Sequence, residues 1–114
     1  MSVARETTAE PLLSAVLDTL GGEIVSGAKS EGETFTLQDI STRFGISRTV
    51  AREAMRALEQ LGLVSSSRRV GIRVLPASRW AVFDRSVIAW RLASDTQRAG
   101  QITSLDAVRT AVAV

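Results

Sequence analysis

Apolar residues near the N-terminus recur every three or four positions, a spacing that predicts one amphipathic helix. These positions are Leu13, Val16, Leu17, Leu20, Ile24 and Val25. We expect Pro11 in the first turn, where proline is tolerated, and Gly27 at the helix end. Gly21-Gly22 is expected to weaken and bend the helix. The polar residues 1–9 are expected to fray.

Two short helices joined by a tight turn are predicted between residues 36 and 62. Thr36 and Asp39 have the spacing of a capping box, and Gly45 suits a turn that needs positive φ. Ser47 is expected to cap the second helix, and Gly62 to close it. The expected inward-facing residues are Leu37, Ile40 and Phe44 on the first helix, Ile46 in the turn, and Val50, Ala54, Ala57, Leu58 and Leu61 on the second.

A small β-hairpin is predicted after the second helix. An extended segment starts at Leu63-Val64, the chain turns from Arg68 to Gly71, and residues 72–75 return before Pro76 breaks the pattern. Upstream of both helices, Ala28 to Thr34 is predicted to be a loop from its composition.

The C-terminal third predicts two more helices. Asp84 lies near the expected start of the first, whose apolar residues are Val82, Phe83, Val87, Ile88, Trp90, Leu92 and Ala93. Residues 94–103 are polar, and a second helical pattern runs from Ile102 to Val114. That pattern has no stop signal and is still apolar where the sequence ends, so we expect it to belong to a truncated domain.

Composition argues against several classes of function. The 114 residues include no cysteine and no histidine, so thiol chemistry and the commonest general base and metal ligand are absent. The run Ser65-Ser66-Ser67 has no histidine to activate it, and we expect no enzyme, no cofactor and no metal. No apolar run reaches membrane-span length, and the N-terminus lacks a secretory pattern. A cytoplasmic protein is expected.

Charge is segregated along the chain, although the net charge is only +2. Residues 1–42 carry two bases and seven acids, whereas residues 43–73 carry seven arginines and two acids. The basic block coincides with the predicted helix pair and hairpin. A GC-rich coding sequence would explain the excess of arginine over lysine, but it would not explain this clustering.

The second predicted helix carries a stripe of arginines suited to nucleic acid. Arg48, Arg52 and Arg56 are spaced at i, i+4 and i+8, so they share an outward face. An α-helix fits the major groove of DNA, where an arginine pairs bidentately with guanine. Ser47, Thr49 and the free N–H groups of the first turn suit a phosphate, and Arg56 is expected to reach only the DNA backbone. The alternative is a solvated face that pairs with Glu53 or Glu59.

The predicted hairpin supplies a second basic cluster. It consists of Arg68, Arg69 and Arg73 around Gly71, and it could follow the DNA backbone or enter the minor groove. The alternative is a set of charges that keeps an edge strand soluble. Arg43 and Gln38, on the first helix of the pair, are weaker candidates for phosphate contact.

The stretch ISRTVAREAMRALEQLGLV resembles the helix-turn-helix signature of GntR-family bacterial transcription regulators, and SRRVGIRVLP is similar to that family's wing. RWAVFDRSVIAWRLAS is similar to the linker of the FadR-type subfamily, and ITSLDAVRTAVAV to the first helix of its effector domain. GETFTLQD departs from the family, which often has a proline leading into this helix. The family's metal sites use histidines, which this chain lacks, so no metal or effector site is assigned.

The resemblance implies a mainly α fold with a small β-hairpin. It comprises a winged helix-turn-helix at residues 10–76, a linker helix at 77–101, and the start of a truncated helical effector domain at 102–114. It also implies a homodimeric regulator, usually a repressor, on a pseudo-palindromic duplex operator, with a small-molecule effector bound by the missing domain. On this basis Ser47, Arg48, Thr49 and Arg52 would contact DNA from the recognition helix, and Arg69 and Gly71 from the wing. The alternative is a protein-interaction module whose basic face binds an acidic partner.

Overall fold

The computed structural model describes the backbone of residues 2–97 and the side chains of residues 11–97. Its elements, in chain order, are α1 (Ser2–Ser26), β1 (Thr34–Phe35), α2 (Leu37–Phe44), α3 (Arg48–Gln60), β2 (Val64–Ser67), β3 (Gly71–Val74), a 3-10 turn (Ala77–Arg79) and a helical segment, α4, over residues 85–97. This confirms the predicted fold class, mainly helical with a small sheet. The helix predicted from Ile102 to Val114 lies outside the described residues.

Helix α1 is longer than the sequence pattern predicts. It begins at Ser2, so Pro11 lies inside it rather than in its first turn, and residues 2–9 are helical rather than frayed. Proline removes one backbone N–H donor, whereas the preceding segment contains alanine, arginine and glutamate, which favour helix. The helix also continues through Gly21-Gly22, and the ring of Trp90 from α4 lies against Gly21.

The local signals of the helix pair are confirmed. Thr36 Oγ1 accepts a hydrogen bond from the Asp39 amide at 3.0 Å, and Asp39 Oδ2 accepts one from the Thr36 amide at 2.9 Å. Gly45 ends α2 with φ of +61°, in the left-handed region that glycine tolerates best. Ser47 caps α3, with its Oγ accepting from the Val50 amide at 3.2 Å. Together these residues fix the angle at which α3 leaves α2.

The buried face of α3 differs in part from the prediction. Ala54 and Leu58 are fully buried as predicted, and so is Ala51, which was not predicted. Ile40 of α2 is also buried as predicted. The other predicted residues of the two helices, which are Leu37, Phe44, Val50, Ala57 and Leu61, are only half-buried. The buried stripe is therefore centred on Ala51, Ala54 and Leu58.

The sheet has three strands rather than the two of a hairpin. Strand β3 lies in the centre, with β2 on one side and β1 on the other, all antiparallel. In β1, Thr34 pairs with Arg73 and Phe35 with Ile72, so the predicted loop ends one residue too late. A two-residue strand has no periodicity by which the sequence could reveal it.

One mostly aliphatic core joins the helices to the sheet. Its buried members are Val16, Leu20, Ile24, Phe35, Ile40, Ile46, Ala51, Ala54, Leu58, Leu63, Val64, Ile72, Val74, Val87 and Trp90. Ile46 is buried as predicted. No helix in the described part of the chain combines the length and apolarity that a membrane span needs.

Helix α4 starts later than predicted and docks onto α1. Val82 and Phe83 precede the helix, and Asp84 caps it, its Oδ1 accepting from the Ser86 amide at 2.8 Å. Trp90 Nε1 donates to Asp18 Oδ1 at 3.1 Å. The other tryptophan, Trp80, lies at the base of the sheet and donates to the Leu75 carbonyl at 3.1 Å.

Candidate nucleic-acid interface

The arginine stripe of α3 is exposed, as the periodicity predicts. Arg48, Arg52 and Arg56 are on the surface while Ala51 and Ala54 of the same helix are fully buried. Among the residues whose side chains are described, none of the three arginines forms an ion pair. The interpretation of a face neutralised by Glu53 or Glu59 is therefore not what the structure shows. Three positive charges remain available to an external anion.

The N-terminus of α3 presents hydroxyl groups beside these arginines. Ser47 and Thr49 are both exposed. Because Ser47 Oγ accepts the Val50 amide, its own hydroxyl proton is free to be donated outward. The first-turn N–H groups and the positive end of the helix dipole add to the anion-binding character of this end.

The turn between β2 and β3 holds the second basic cluster. Arg68 and Arg69 lie in the turn and Arg73 lies on β3, and all three are exposed. Gly71 has φ of +83°, and a Cβ there would lie 2.9 Å from the Phe35 carbonyl oxygen. Glycine at this position therefore lets β3 approach β1 closely. We call β2, this turn and β3 the wing.

A groove of about 390 Å³ separates α3 from the wing. Its lining comprises Thr36, Leu37, Gln38, Arg48, Met55, Ser66, Ser67, Gly71 and Ile72. The structure thus brings together Arg48 of α3, Gln38 of α2 and Gly71 of the wing. The Gln38 amide donates to Thr42 Oγ1 at 3.0 Å, which holds the side chain along α2.

Arg56 lies beside a different depression. This depression has a volume of about 680 Å³ and is lined by Leu13, Glu53, Arg56, Ala57, Glu59 and Gln60. Leu13 belongs to α1, so Arg56 is near the α1 side of α3, whereas Arg48 borders the wing groove. The stripe therefore winds slowly around the helix, because residues four positions apart are rotated by about 400°, which is about 40° more than one full turn.

Arg43 has a partner within the protein. Its guanidinium donates two hydrogen bonds to Glu23, at 2.7 and 2.5 Å, and it lies 4.9 Å from the centroid of the Phe44 ring. These hydrogen bonds, with the charge of Arg43, lower the pKa of Glu23, and they raise the pKa of Arg43. The pair joins α2 to α1, and the charge of Arg43 is already balanced.

One contact beside the interface was not predicted at all. Glu59, near the end of α3, accepts two hydrogen bonds from Ser66 of β2, one from the amide at 3.3 Å and one from the hydroxyl at 2.8 Å. No pattern in the sequence distinguishes this glutamate from an ordinary solvated one. Within the described residues, no group of three histidine, cysteine or acidic side chains is placed to hold a metal ion.

Comparison with known structures shows the same fold. A GntR family transcriptional regulator from Listeria monocytogenes superposes with a TM-score of 0.56 and 17% identity, over 89% of this chain and 81% of that one. S. agalactiae BusR, solved in complex with its busAB-promotor DNA, gives a TM-score of 0.53 and 14% identity, over 86% of this chain and 52% of that one.

Sequence comparison shows the family. An uncharacterized HTH-type transcriptional regulator of Escherichia coli K12, YieP, is 34% identical over 89 residues, which are 76% of this chain. The chain spans only 39% of that relative's length. The model of the bacterial regulatory proteins of the gntR family matches residues 12–74, which include α2, α3 and the whole wing. This chain therefore belongs to the gntR family of bacterial regulatory proteins.

Proposed function

We propose that this chain is the DNA-binding part of a transcription regulator and grips duplex DNA with α3 and the wing. The observation that carries the proposal is the exposed face of α3, where Arg48, Arg52 and Arg56 have no ion-pair partner among the described side chains. Family membership supports it. So does the similarity in fold to BusR, which has been solved with promoter DNA.

In this proposal α3 enters the major groove with its N-terminus foremost. Arg48 and Arg52 reach base edges, while Ser47 and Thr49 hold a phosphate. Arg56, near the α1 side of the helix, contacts only the DNA backbone. These roles make α3 the element that reads the sequence.

The wing then lies against the neighbouring backbone or minor groove. Arg68, Arg69 and Arg73 supply its charge, and Gly71 lets β3 pack closely against β1. In this arrangement the DNA backbone between the major and minor grooves passes through the space between α3 and the wing. The Gln38 amide uses one N–H on Thr42, and its second N–H can be donated to a phosphate there. We leave Arg43 out of the contact set because Glu23 already binds both of its terminal nitrogens.

We infer the wider organisation from the resemblance to FadR-type regulators. Residues 10–76 form the DNA-binding domain, 77–101 the linker and 102–114 the start of an effector domain. The regulator acts in the cytoplasm as a homodimer on a pseudo-palindromic operator, usually as a repressor, and a small-molecule effector binds its effector domain. The docking of α4 onto α1 through Trp90 supports a linker that is packed against the DNA-binding domain.

Selection of bound sequences from a random duplex pool, followed by binding measurements at two salt concentrations, tests the proposal. We expect an enriched motif with two half-sites and an affinity that falls steeply with salt, because bound arginines displace counterions from DNA. The control is a triple variant in which Arg48, Arg52 and Arg56 are alanine, checked for an unchanged circular dichroism spectrum. A wild-type chain that shows no duplex binding even at low salt would favour the protein-interaction module.

A further inference from the structure

The wing is tethered to α3 at a point beyond the core. In β2, Val64 is buried, whereas Ser65, Ser66 and Ser67 are exposed. The contact of Ser66 with Glu59 is therefore made outside the core, on the part of the wing that leads to Arg68 and Arg69. Past Ser66, the only other side-chain hydrogen bond of the described turn is internal, from the Val70 amide to Ser67 Oγ at 3.1 Å.

The contact provides an acceptor for a backbone donor on the open edge of the sheet. Strand β2 pairs with β3 on one side only, so alternate N–H groups of β2 point to its open side. The Ser66 amide is such a donor, and Glu59 accepts it through the same Oε2 atom that accepts the Ser66 hydroxyl. Two donors from one residue on one carboxylate oxygen restrict both the position and the tilt of β2 relative to α3.

The tether controls the position of the wing arginines. Arg69 is three residues beyond Ser66 and lies in the turn at the far end of the wing, so a rotation of β2 at Ser66 moves the Arg69 guanidinium farther than it moves Ser66 itself. A phosphate contact needs an N–O distance of about 2.7–2.9 Å. Without a fixed wing, Arg69 must give up conformational freedom when it binds, and the contact is weakened.

We propose that Glu59 is a positioning residue that holds the wing at the angle to α3 required for both to contact one duplex. This inference rests on the proposed DNA binding and adds a coupling between its two contact surfaces. Glu59 itself touches no DNA. Its effect passes through Ser66 to the wing arginines.

Glu53 provides a matched control for Glu59. Both are exposed glutamates of α3, and they are the only acids among residues 43–73. Glu53 forms no side-chain hydrogen bond or ion pair within the described residues. By charge alone, either substitution by alanine should tighten binding to a polyanion. A difference between the two variants therefore reports the contact with Ser66 and not the lost charge.

The test is a double-mutant cycle on the 114-residue chain, using a duplex selected from the random pool with the wild type. We expect Arg69→Ala to weaken binding about tenfold in the wild type and in Glu53→Ala, but about threefold or less in Glu59→Ala. Ser66→Ala removes the hydroxyl donor but keeps the backbone donor. In that background the loss of affinity caused by Arg69→Ala should lie between the losses in the wild type and in Glu59→Ala. Equal losses in the Glu53→Ala and Glu59→Ala backgrounds would overturn the proposal.

Amide hydrogen exchange gives a readout that needs no DNA. The Ser66 amide should exchange faster in Glu59→Ala than in Glu53→Ala. The unfolding temperatures of the two variants are the control, and similar values show that the faster exchange is local to Ser66. An unchanged Ser66 exchange rate would overturn the tether even if DNA binding is normal. A wild-type chain that exchanges as expected but binds no duplex would instead refute the proposed function, and the positioning role with it.

Discussion

The six-membered ring of Trp90 covers Gly21 so closely that a Cβ at Gly21 would lie 2.6–2.7 Å from three ring atoms. The indole N–H is held at the same time by Asp18, one turn earlier in α1. Gly21, which by helix propensity alone weakens α1, therefore provides the space in which Trp90 of α4 packs. Its neighbour Gly22 has open space where a Cβ would be.

We predict opposite effects for alanine at these two glycines. Gly21→Ala should destabilise the chain by about 1–3 kcal/mol, because the added methyl group forces the Trp90 ring outward. Gly22→Ala should stabilise it by about 0.5–1 kcal/mol, because alanine favours helix and meets no atom. Urea denaturation of both variants measures the two values. Stabilisation by Gly21→Ala would mean that Trp90 is not seated on α1.

A second pair of glycines allows the cost of an unfavourable backbone conformation to be measured apart from the cost of steric crowding. Gly45 and Gly62 both have positive φ, but only Gly62 is crowded, since a Cβ there would overlap the carbonyl oxygen of Arg79. Gly45→Ala should cost about 1 kcal/mol from conformation alone. Gly62→Ala should cost at least about 3 kcal/mol, because the segment after the sheet must also move away from the end of α3. Thermal unfolding of the two variants checks this order, and equal losses would contradict it.

The Glu23–Arg43 pair predicts a pH-dependent contribution to stability. Its hydrogen bonds lower the pKa of Glu23 below the ordinary value of 4.5, so the stabilisation is present above that pH. It is lost as the pH falls through the lowered pKa of the folded state. Because both side chains are partly exposed, we expect Arg43→Ala to cost less than about 1 kcal/mol at neutral pH.

The measurement is urea denaturation of wild type and Arg43→Ala at neutral pH and at several acidic pH values. The difference in unfolding free energy should shrink toward zero as Glu23 becomes protonated. Arg52→Ala, which removes an arginine without an ion-pair partner in the described structure, should show no such trend. A difference that persisted in acid would show that Arg43 stabilises α2 by another route, such as its position over Phe44.

Arg43 and Arg48 should also differ in their effect on DNA binding. Arg48→Ala should weaken binding to the selected duplex by about 1–3 kcal/mol, and more than it weakens binding to random DNA, because a base contact is lost. Arg43→Ala should change both affinities by less than about 0.5 kcal/mol, because its charge is already paired with Glu23. Fluorescence anisotropy with the two duplexes measures this. Equal losses on both duplexes for Arg48→Ala would place that residue on the backbone only.

Local chemistry made much of this fold predictable. The capping residues Thr36 and Ser47 and the turn residue Gly45 act within four positions of themselves, so the sequence shows both partners of each interaction at once. The exposed arginine stripe follows from the buried residues of the same helix. The predicted start of α1 was wrong because the preference of proline for the first helical turn was outweighed. Pro11 lies inside α1, where the residues before it favour helix.

Features that join distant segments could not be predicted. Glu23 and Arg43 are twenty residues apart, and Asp18 and Trp90 are seventy-two apart, and no periodicity connects either pair. Strand β1 is too short to carry a pattern. Glu59 looks like any polar residue at the end of a helix until the position of β2 is known. Each of these depends on tertiary packing.

The two tryptophans provide optical probes in separate parts of the molecule. Trp80 donates to Leu75 just after β3, while Trp90 is buried between α4 and α1. A Trp80→Phe chain would fluoresce only from the contact between the two helices, and a Trp90→Phe chain only from the base of the wing. Emission spectra of these variants would therefore show, in one titration, whether a bound duplex alters one site, the other or both.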